Sequence, residues 1–245
     1  MFRTLSAMLV IATLAGVTSA NAAVVIGGTR VVFPADVRDV SLRIENKGSD
    51  PALVQVWIDD GDERSTPSNA HAPFAITPPV FRIDQGQGHA LRIVHAGEEP
   101  PRERETLYWL NVLEIPPKAA EAEGKNVLQL AFRHRLKVFH RPKDLSMPVE
   151  HAPSSLRWSI VRTDGKARLH VENPSPYHVS FHAIELQWRE EGGKPLSLGG
   201  GMVKPQRSAE FPLPDGTQGF QAATVSFMSI NDFGGVVAGT SVIDP

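Results

Sequence analysis

The side chains in this 245-residue chain whose types could do chemistry are nine histidines and an ordinary supply of serine, aspartate and glutamate. His178 and His182 stand four apart, a spacing that brings two imidazoles together on a helix. The segment Val179 to Trp188, however, alternates as a strand does, and there the two rings lie about 13 Å apart, too far for one ion. His134 and His140 are six apart with no carboxylate between them. Cysteine is absent, which excludes thiolate zinc sites and disulfide scaffolds. No Gly-x-Ser-x-Gly elbow, His-Glu-x-x-His pair or phosphate loop is present. These residues therefore point away from an enzyme, a metal site or a cofactor, and toward a protein that acts by binding.

The charge balance narrows the partners. Lys and Arg number 25 against 27 Asp and Glu, for a net charge of −2. A nucleic-acid partner would call for a basic excess or stripe. Taken singly, Arg30 is a strand-end cation, Lys137 an outward side chain able to snorkel, and Glu105, Arg141 and Asp232 scattered surface charges. The most informative run is Val127-Leu-Gln-Leu-Ala-Phe132. Period-two alternation puts Leu128, Leu130 and Phe132 on one face and Gln129, Ala131, Arg133 and Arg135 on the other. Two readings follow: a core strand with its apolar side inward, or an edge strand whose large apolar side chains await a partner. Periodicity does not choose between them.

The elements that must position these residues are strands. Hydrophobic residues make up 41% and charged residues 21%, globular values, and 20 Gly with 20 Pro fall short of low complexity. Met1-Phe2-Arg3, the apolar run Leu5 to Val17 and the small-x-small sequence Ala20-Asn21-Ala22 have the form of a secretory signal cleaved after Ala22. Without it, no apolar run is long enough to span a membrane, so no membrane insertion is expected after cleavage. Alternating strands are expected at Val40–Ile44, Ala52–Ile58, Ala90–Val94, Thr106–Ile115 and Val127–Phe139. Phe74 to Ile83, broken by Pro78-Pro79, reads as an edge or strand-switching segment. The proline-rich run after His140 is a linker, and Leu156–Val161, Ala167–Glu172, Val179–Trp188, Ser208–Phe211 and Ala222–Ile230 form a second set of strands. The expected fold is all-β, two immunoglobulin-like sandwiches. The expected divisions are a signal at 1–22, a first domain at 23–142, a linker at 143–147 and a second domain at 148–245.

Several segments carry a resemblance that spans nearly all of the chain after the signal. Glu105-Thr-Leu-Tyr-Trp-Leu-Asn111-Val-Leu-Glu-Ile-Pro116-Pro117 resembles the signature of the periplasmic pilus chaperones of the chaperone–usher pathway. Thr29-Arg30-Val-Val-Phe33, Asn126 to Ala131 running on through Leu136-Lys137 to Arg141-Pro142, Glu172-Asn-Pro-Ser-Pro-Tyr177 and Asn231-Asp232-Phe-Gly-Gly235 agree with it in type and order. His140 departs from the aromatic residue frequent in relatives, although its ring fills similar space.

The resemblance implies two immunoglobulin-like domains set at an angle around a cleft. It implies that Val127–Phe139 completes the fold of pilus or fimbrial subunits that lack a strand, with Leu128, Leu130 and Phe132 entering the subunit groove. Arg30 and Lys137 would bind the subunit's C-terminal carboxylate, and Glu105, Arg141 and Asp232 would fix the angle between domains. The implied partners are subunits and an outer-membrane usher, the implied location is the periplasm of a Gram-negative bacterium, and the open edge allows self-association of the free protein. The short segment Lys118 to Asn126 resembles the branch that builds rod-like fimbriae. A rival reading is a secreted two-domain adhesin or fibre component. Strict alternation also puts Lys137 on the face opposite Leu128, Leu130 and Phe132, which requires either a cleft on that face or a bulge.

Overall fold

The computed structural model describes residues 23–117, 130–188, 194–214 and 222–243. Four sheets, packed in two pairs, make two sandwiches. In the first, β1 (Val24–Ile26), β3 (Asp39–Asn46), β7 (Gly88–His95) and β5 (Phe74–Thr77) lie side by side in that order. They face a second sheet ordered β2 (Arg30–Pro34), β9 (Phe132–Arg141), β8 (Thr106–Ile115), β4 (Ala52–Asp59) and β6 (Val80–Ile83). The Pro78-Pro79 pair divides β5 from β6 and sends them to different sheets, β5 onto β7 and β6 onto β4. Proline cannot donate to a ladder, so the break falls where the chain changes sheets.

The second sandwich pairs β10 (Arg157–Thr163), β11 (Lys166–Asn173) and β14 (Arg207–Pro212) against β13 (Leu196–Val203), β12 (Val179–Trp188), β15 (Ala223–Ile230) and β16 (Val236–Ile243). Two 3₁₀ turns, Val149–His151 and Pro153–Ser155, lead into it. Strands β13 and β16 were not among the sequence-based expectations. Gly199-Gly200-Gly201 in β13 and the small residues Ala238-Gly239-Thr240-Ser241 in β16 dilute the apolar alternation on which strand detection rests.

Alternation along β9 decides how the first sandwich meets the second. Leu136, Val138 and His140 point into the first core, where they join Phe33, Leu110 and Ile93. The opposite face carries Arg133, Arg135, Lys137, Phe139 and Arg141. The register of β9 on β8 runs without a shift from Phe132 to His140. No bulge is therefore needed for Lys137: its face is the one turned to the second sandwich, where Phe139 is buried against His178. The second core gathers Trp158, Phe181 and Phe227 around Leu169, Ile184 and Leu186.

Candidate functional site

β9 spans ten residues, as β8 does, and its two halves differ. β2 pairs with it in parallel from Arg30↔Lys137 to Pro34↔Arg141. Over Phe132 to Leu136 only β8 accompanies it among the described residues. Among the described residues that half is a free sheet edge, with backbone donors and acceptors facing outward. Leu130, two residues before β9, and Phe132, its first residue, are 53% and 50% exposed, large apolar side chains with little of their own chain to pack on. Leu128 and Gln129 lie outside the described residues. The edge-strand reading therefore describes the first half of β9, and the core-strand reading its second half.

Where β2 begins, so do the cations. The pairing that sets Arg30 opposite Lys137 puts both on the face turned to the second domain. The Lys137 ammonium donates to Ser180 Oγ at 3.0 Å and lies 5.9 Å from the Trp109 ring. Burial, and then the neighbouring Arg30, push its pKa down from 10.5 to about 8. Arg30 donates through Nη1 to the Ile230 carbonyl at 3.0 Å and lies 5.7 Å from the Phe139 ring. Its Nε is buried with no partner among the described residues. Burial lowers its pKa despite the attraction of Asp232 and Glu105. Two like charges thus stand side by side, partly stripped of water, with hydrogen-bonding capacity unused. A cavity of about 380 Å³ between the domains is lined by Arg30, Phe139, Arg141, Asp232 and Phe233 among others. Lys137 does not line this cavity, so an anionic group entering it meets Arg30 alone of the two; only a group placed at the Arg30–Lys137 pair itself would relieve both desolvated charges.

Glu105, Arg141 and Asp232, 127 residues apart at their extremes, meet at the domain junction. Arg141 donates from Nη1 and Nη2 to both Asp232 oxygens at 2.5 and 2.8 Å, and from Nε to Glu105 at 2.9 Å. Burial alone would lower the Arg141 pKa; the two carboxylates outweigh it and raise it. Glu105 is buried and also accepts from the His178 backbone N–H at 3.0 Å, with His178 Nδ1 at 3.0 Å. The Glu105 N–H donates to the Pro176 carbonyl at 2.8 Å. Asp232 is held by the β15–β16 turn, where Asn231 Oδ1 accepts from the N–H groups of Phe233 (3.1 Å) and Gly235 (2.8 Å). Gly234 in that turn has φ +81°, and a Cβ there would collide with the Thr29 hydroxyl, so the turn approaches the first domain closely only as glycine.

Sequence reasoning missed His178, Ser180 and Trp109 as parts of the site. In the sequence His178 stands out only by its spacing from His182, as a metal ligand would. Ser180 and Trp109 carry no charge to draw attention, and only the pairing of the two domains brings them to the cations. Among the described residues no group of three or more metal-ligating side chains occurs.

Residues 23–146 match the family description of the pili and flagellar-assembly chaperone, PapD N-terminal domain, and residues 151–241 that of the pili assembly chaperone PapD, C-terminal domain. The chain is 42% identical over 228 residues to the probable fimbrial chaperone YadV of Escherichia coli strain K12, covering 91% of each. It is 40% identical over 222 residues to the chaperone protein FimB/FhaD of Bordetella pertussis, covering 89% of this chain and 87% of that one. The crystal structure of the YadV chaperone superposes with a TM-score of 0.76 at 39% identity, covering 90% of this chain and all of the other. The Salmonella enterica SafA pilin in complex with the SafB chaperone matches at a TM-score of 0.74 and 30% identity, over 92% and 98%. The chain belongs to the PapD-like family of pilus-assembly chaperones, two-domain immunoglobulin-like proteins of the Gram-negative periplasm.

Proposed function

We propose that this chaperone captures pilus or fimbrial subunits in the periplasm by lending them the free half of β9, and passes them to an outer-membrane usher. The observation that carries the reading is the coincidence on one strand of an unpaired edge, two exposed apolar side chains and an adjoining pair of half-desolvated cations. The SafA–SafB complex supports it, since a chaperone of the same fold is there joined to a pilin. The domain division at 23–142 and 148–245 with a linker at 143–147 is part of the same proposal, supported by the two family matches.

The physical roles divide. Burying Leu130 and Phe132 in a guest contributes about 1.5–3 kcal/mol each before association costs. Each net backbone hydrogen bond along the edge adds about 0.5–1.5 kcal/mol. Neither term sets the register, because a slipped apolar strand still finds apolar surface. A guest's terminal carboxylate docked on Arg30 and Lys137 does, because a slip strands charges in the cleft at a cost of about 3–5 kcal/mol. Leu128 belongs to the same apolar series by alternation, and the Glu105–Arg141–Asp232 cluster holds the domains at the angle that keeps the cleft open.

The test is recovery of a complex from periplasm. Lys137→Ala folds and reaches the periplasm at wild-type levels, and the co-purifying subunit disappears. Wild-type recovery of complex from that variant overturns the carboxylate assignment. Incorporation of the chain itself into surface fibres supports the adhesin reading instead.

A further inference from the structure

A strand with a neighbour on one side only tends to fray, and among the described residues the free half of β9 has just β8 to hold it. On its outward face, Arg133 and Arg135 meet a polar cluster that the family resemblance does not account for. Asp59, the last residue of β4, is fully buried. Its carboxylate accepts from Ser65 Oγ at 2.6 Å, Asn111 Nδ2 at 2.7 Å, the Gly61 N–H at 2.8 Å and Arg135 Nη2 at 2.9 Å. Arg133 Nη2 lies 3.7 Å from Oδ2, the oxygen that also takes Ser65 and Asn111. Arg133 donates through Nε and Nη2 to Asn111 Oδ1 at 2.9 and 2.7 Å, through Nη2 to Ser65 Oγ at 3.1 Å, and through Nη1 to the Glu63 carbonyl at 2.9 Å. Each guanidinium stacks on a tryptophan, Arg133 on Trp57 and Arg135 on Trp109, both at 4.8 Å. Trp57 Nε1 closes the ring by donating to Ser65 Oγ at 3.0 Å.

We propose that Asp59 is a positioning residue: through Arg133 and Arg135 it holds the unpaired half of β9 straight before a guest arrives. The placement is what points to this. The β2 ladder covers β9 from Lys137 onward, and the clamp grips the two outward residues just before it. A buried carboxylate is a costly way to fill a sheet surface, and it is worth having where its charge fixes two cations at set positions. A donor strand already extended gives up little freedom on pairing, so the clamp acts on the rate of capture more than on the lifetime of the complex. Asp59 touches no guest in this scheme, and its effect passes through the two arginines.

This proposal rests on β9 being the lending strand, and its test separates the two. Hydrogen exchange on the free, full-length chaperone reads the clamp without any subunit. In Asp59→Asn, the amides of Phe132–Leu136 that pair with β8 exchange about tenfold faster or more, while those of Lys137–Arg141 and of the second domain stay within about twofold. Association with the subunit that co-purifies with the wild type, unfolded in denaturant and diluted onto chaperone, slows by about tenfold, and dissociation changes by less than about threefold. Arg135→Gln, whose site is partly open to water, carries the same measurements should Asp59→Asn not fold, and Arg135→Lys restores part of the protection. Unchanged exchange over 132–136, or acceleration spread evenly through the first domain, overturns the clamp. Faster local exchange with an unchanged association rate also overturns it, leaving Asp59 a support of the Asp62–Ser65 loop only. Failure of the wild type to capture any subunit sinks the lending-strand reading, while the exchange data still decide whether Asp59 holds the strand.

Discussion

Lys137 concentrates the site's pH dependence in one group. Its ammonium titrates at about 8 in the folded chain against 10.5 when unconstrained, because burial and then Arg30 disfavour the charge. Between those values the unfolded chain binds more protons than the native one, so the free chaperone gains stability as pH rises through that interval. The proposed docking of a guest's carboxylate reverses the preference by favouring the charged form. Capture above pH 8 then requires proton uptake, and affinity falls with rising pH, at most about tenfold per unit for one linked proton. Dissociation constants measured from pH 6.5 to 9.5 show this decline in the wild type and its loss in Lys137→Arg, which stays charged; parallel profiles exclude Lys137 as the linked group. His140 shows the opposite end of the scale. It is buried, stacked on Phe33 at 5.9 Å, and its Nδ1 has no partner among the described residues. Burial, and then His95, lower its pKa, with Glu99 opposing. Its contribution is intact above the unfolded value of 6.5 and is lost as pH falls through the lower folded value. His140→Phe therefore narrows the drop in thermal midpoint between pH 7.5 and 5, and an unchanged drop assigns it elsewhere. Charged residues such as Arg141 were legible in the sequence through their company in a motif. Asp59 was not, because Asp59-Asp60-Gly61 reads as a turn and nothing in that triplet reveals a carboxylate with five polar neighbours.

At the scale of the element, β9 does two jobs that its alternation keeps apart. Even-numbered residues from Leu136 on build the first core, and odd-numbered ones from Lys137 on build the domain junction. Among the described residues, only the exposed apolar side chains at and just before its beginning, Phe132 and Leu130, are unused by its own fold. Leu130→Glu tests that division: subunit capture weakens by about ten- to a hundredfold, the equivalent of losing 1.5–3 kcal/mol of burial. The thermal midpoint moves by less than about 2 °C, as for a surface change. A fall of many degrees returns Leu130 to the core. The run Leu128 to Phe132 announced its apolar face in the sequence but not its exposure, since alternation is the same whether that face is covered by a neighbouring sheet or by a guest. The Pro78-Pro79 switch was legible because proline removes a donor wherever it stands. β16 was not legible, because its sequence Val236-Val-Ala-Gly-Thr-Ser-Val-Ile243 is mostly small and its valines lie outward, where no alternation of polar residues marks them.

For the whole molecule, the relation between two sandwiches depends on few contacts, and such junctions move unless something restrains them. The restraint proposed here is polar. Arg141 comes from the end of β9, Glu105 from the approach to β8 and Asp232 from the turn between β15 and β16. Glu105 is already satisfied by the His178 backbone, so it belongs to both domains at once. Asp232 is the removable member. It is more exposed than its partners, with side-chain exposures of 29% against 17% for Arg141 and 1% for Glu105. Its loss therefore leaves no buried carboxylate stranded, and Arg141 keeps Glu105. Asp232→Ala gives up two charge-assisted hydrogen bonds at a partly wet site, about 1.5–3 kcal/mol of coupling between domains. The expected result is a calorimetric profile that splits from one transition into two, with each sandwich retaining its own core. Small-angle scattering shows a broader distribution of inter-domain distances, and subunit capture falls because Arg30, tied to Ile230 beside Asp232, no longer keeps a fixed place opposite Lys137's contact with Ser180. A single unaltered transition with unaltered scattering shows that apolar contacts such as Phe139 against His178 suffice to set the angle, and that the three charges serve the cleft in some other way.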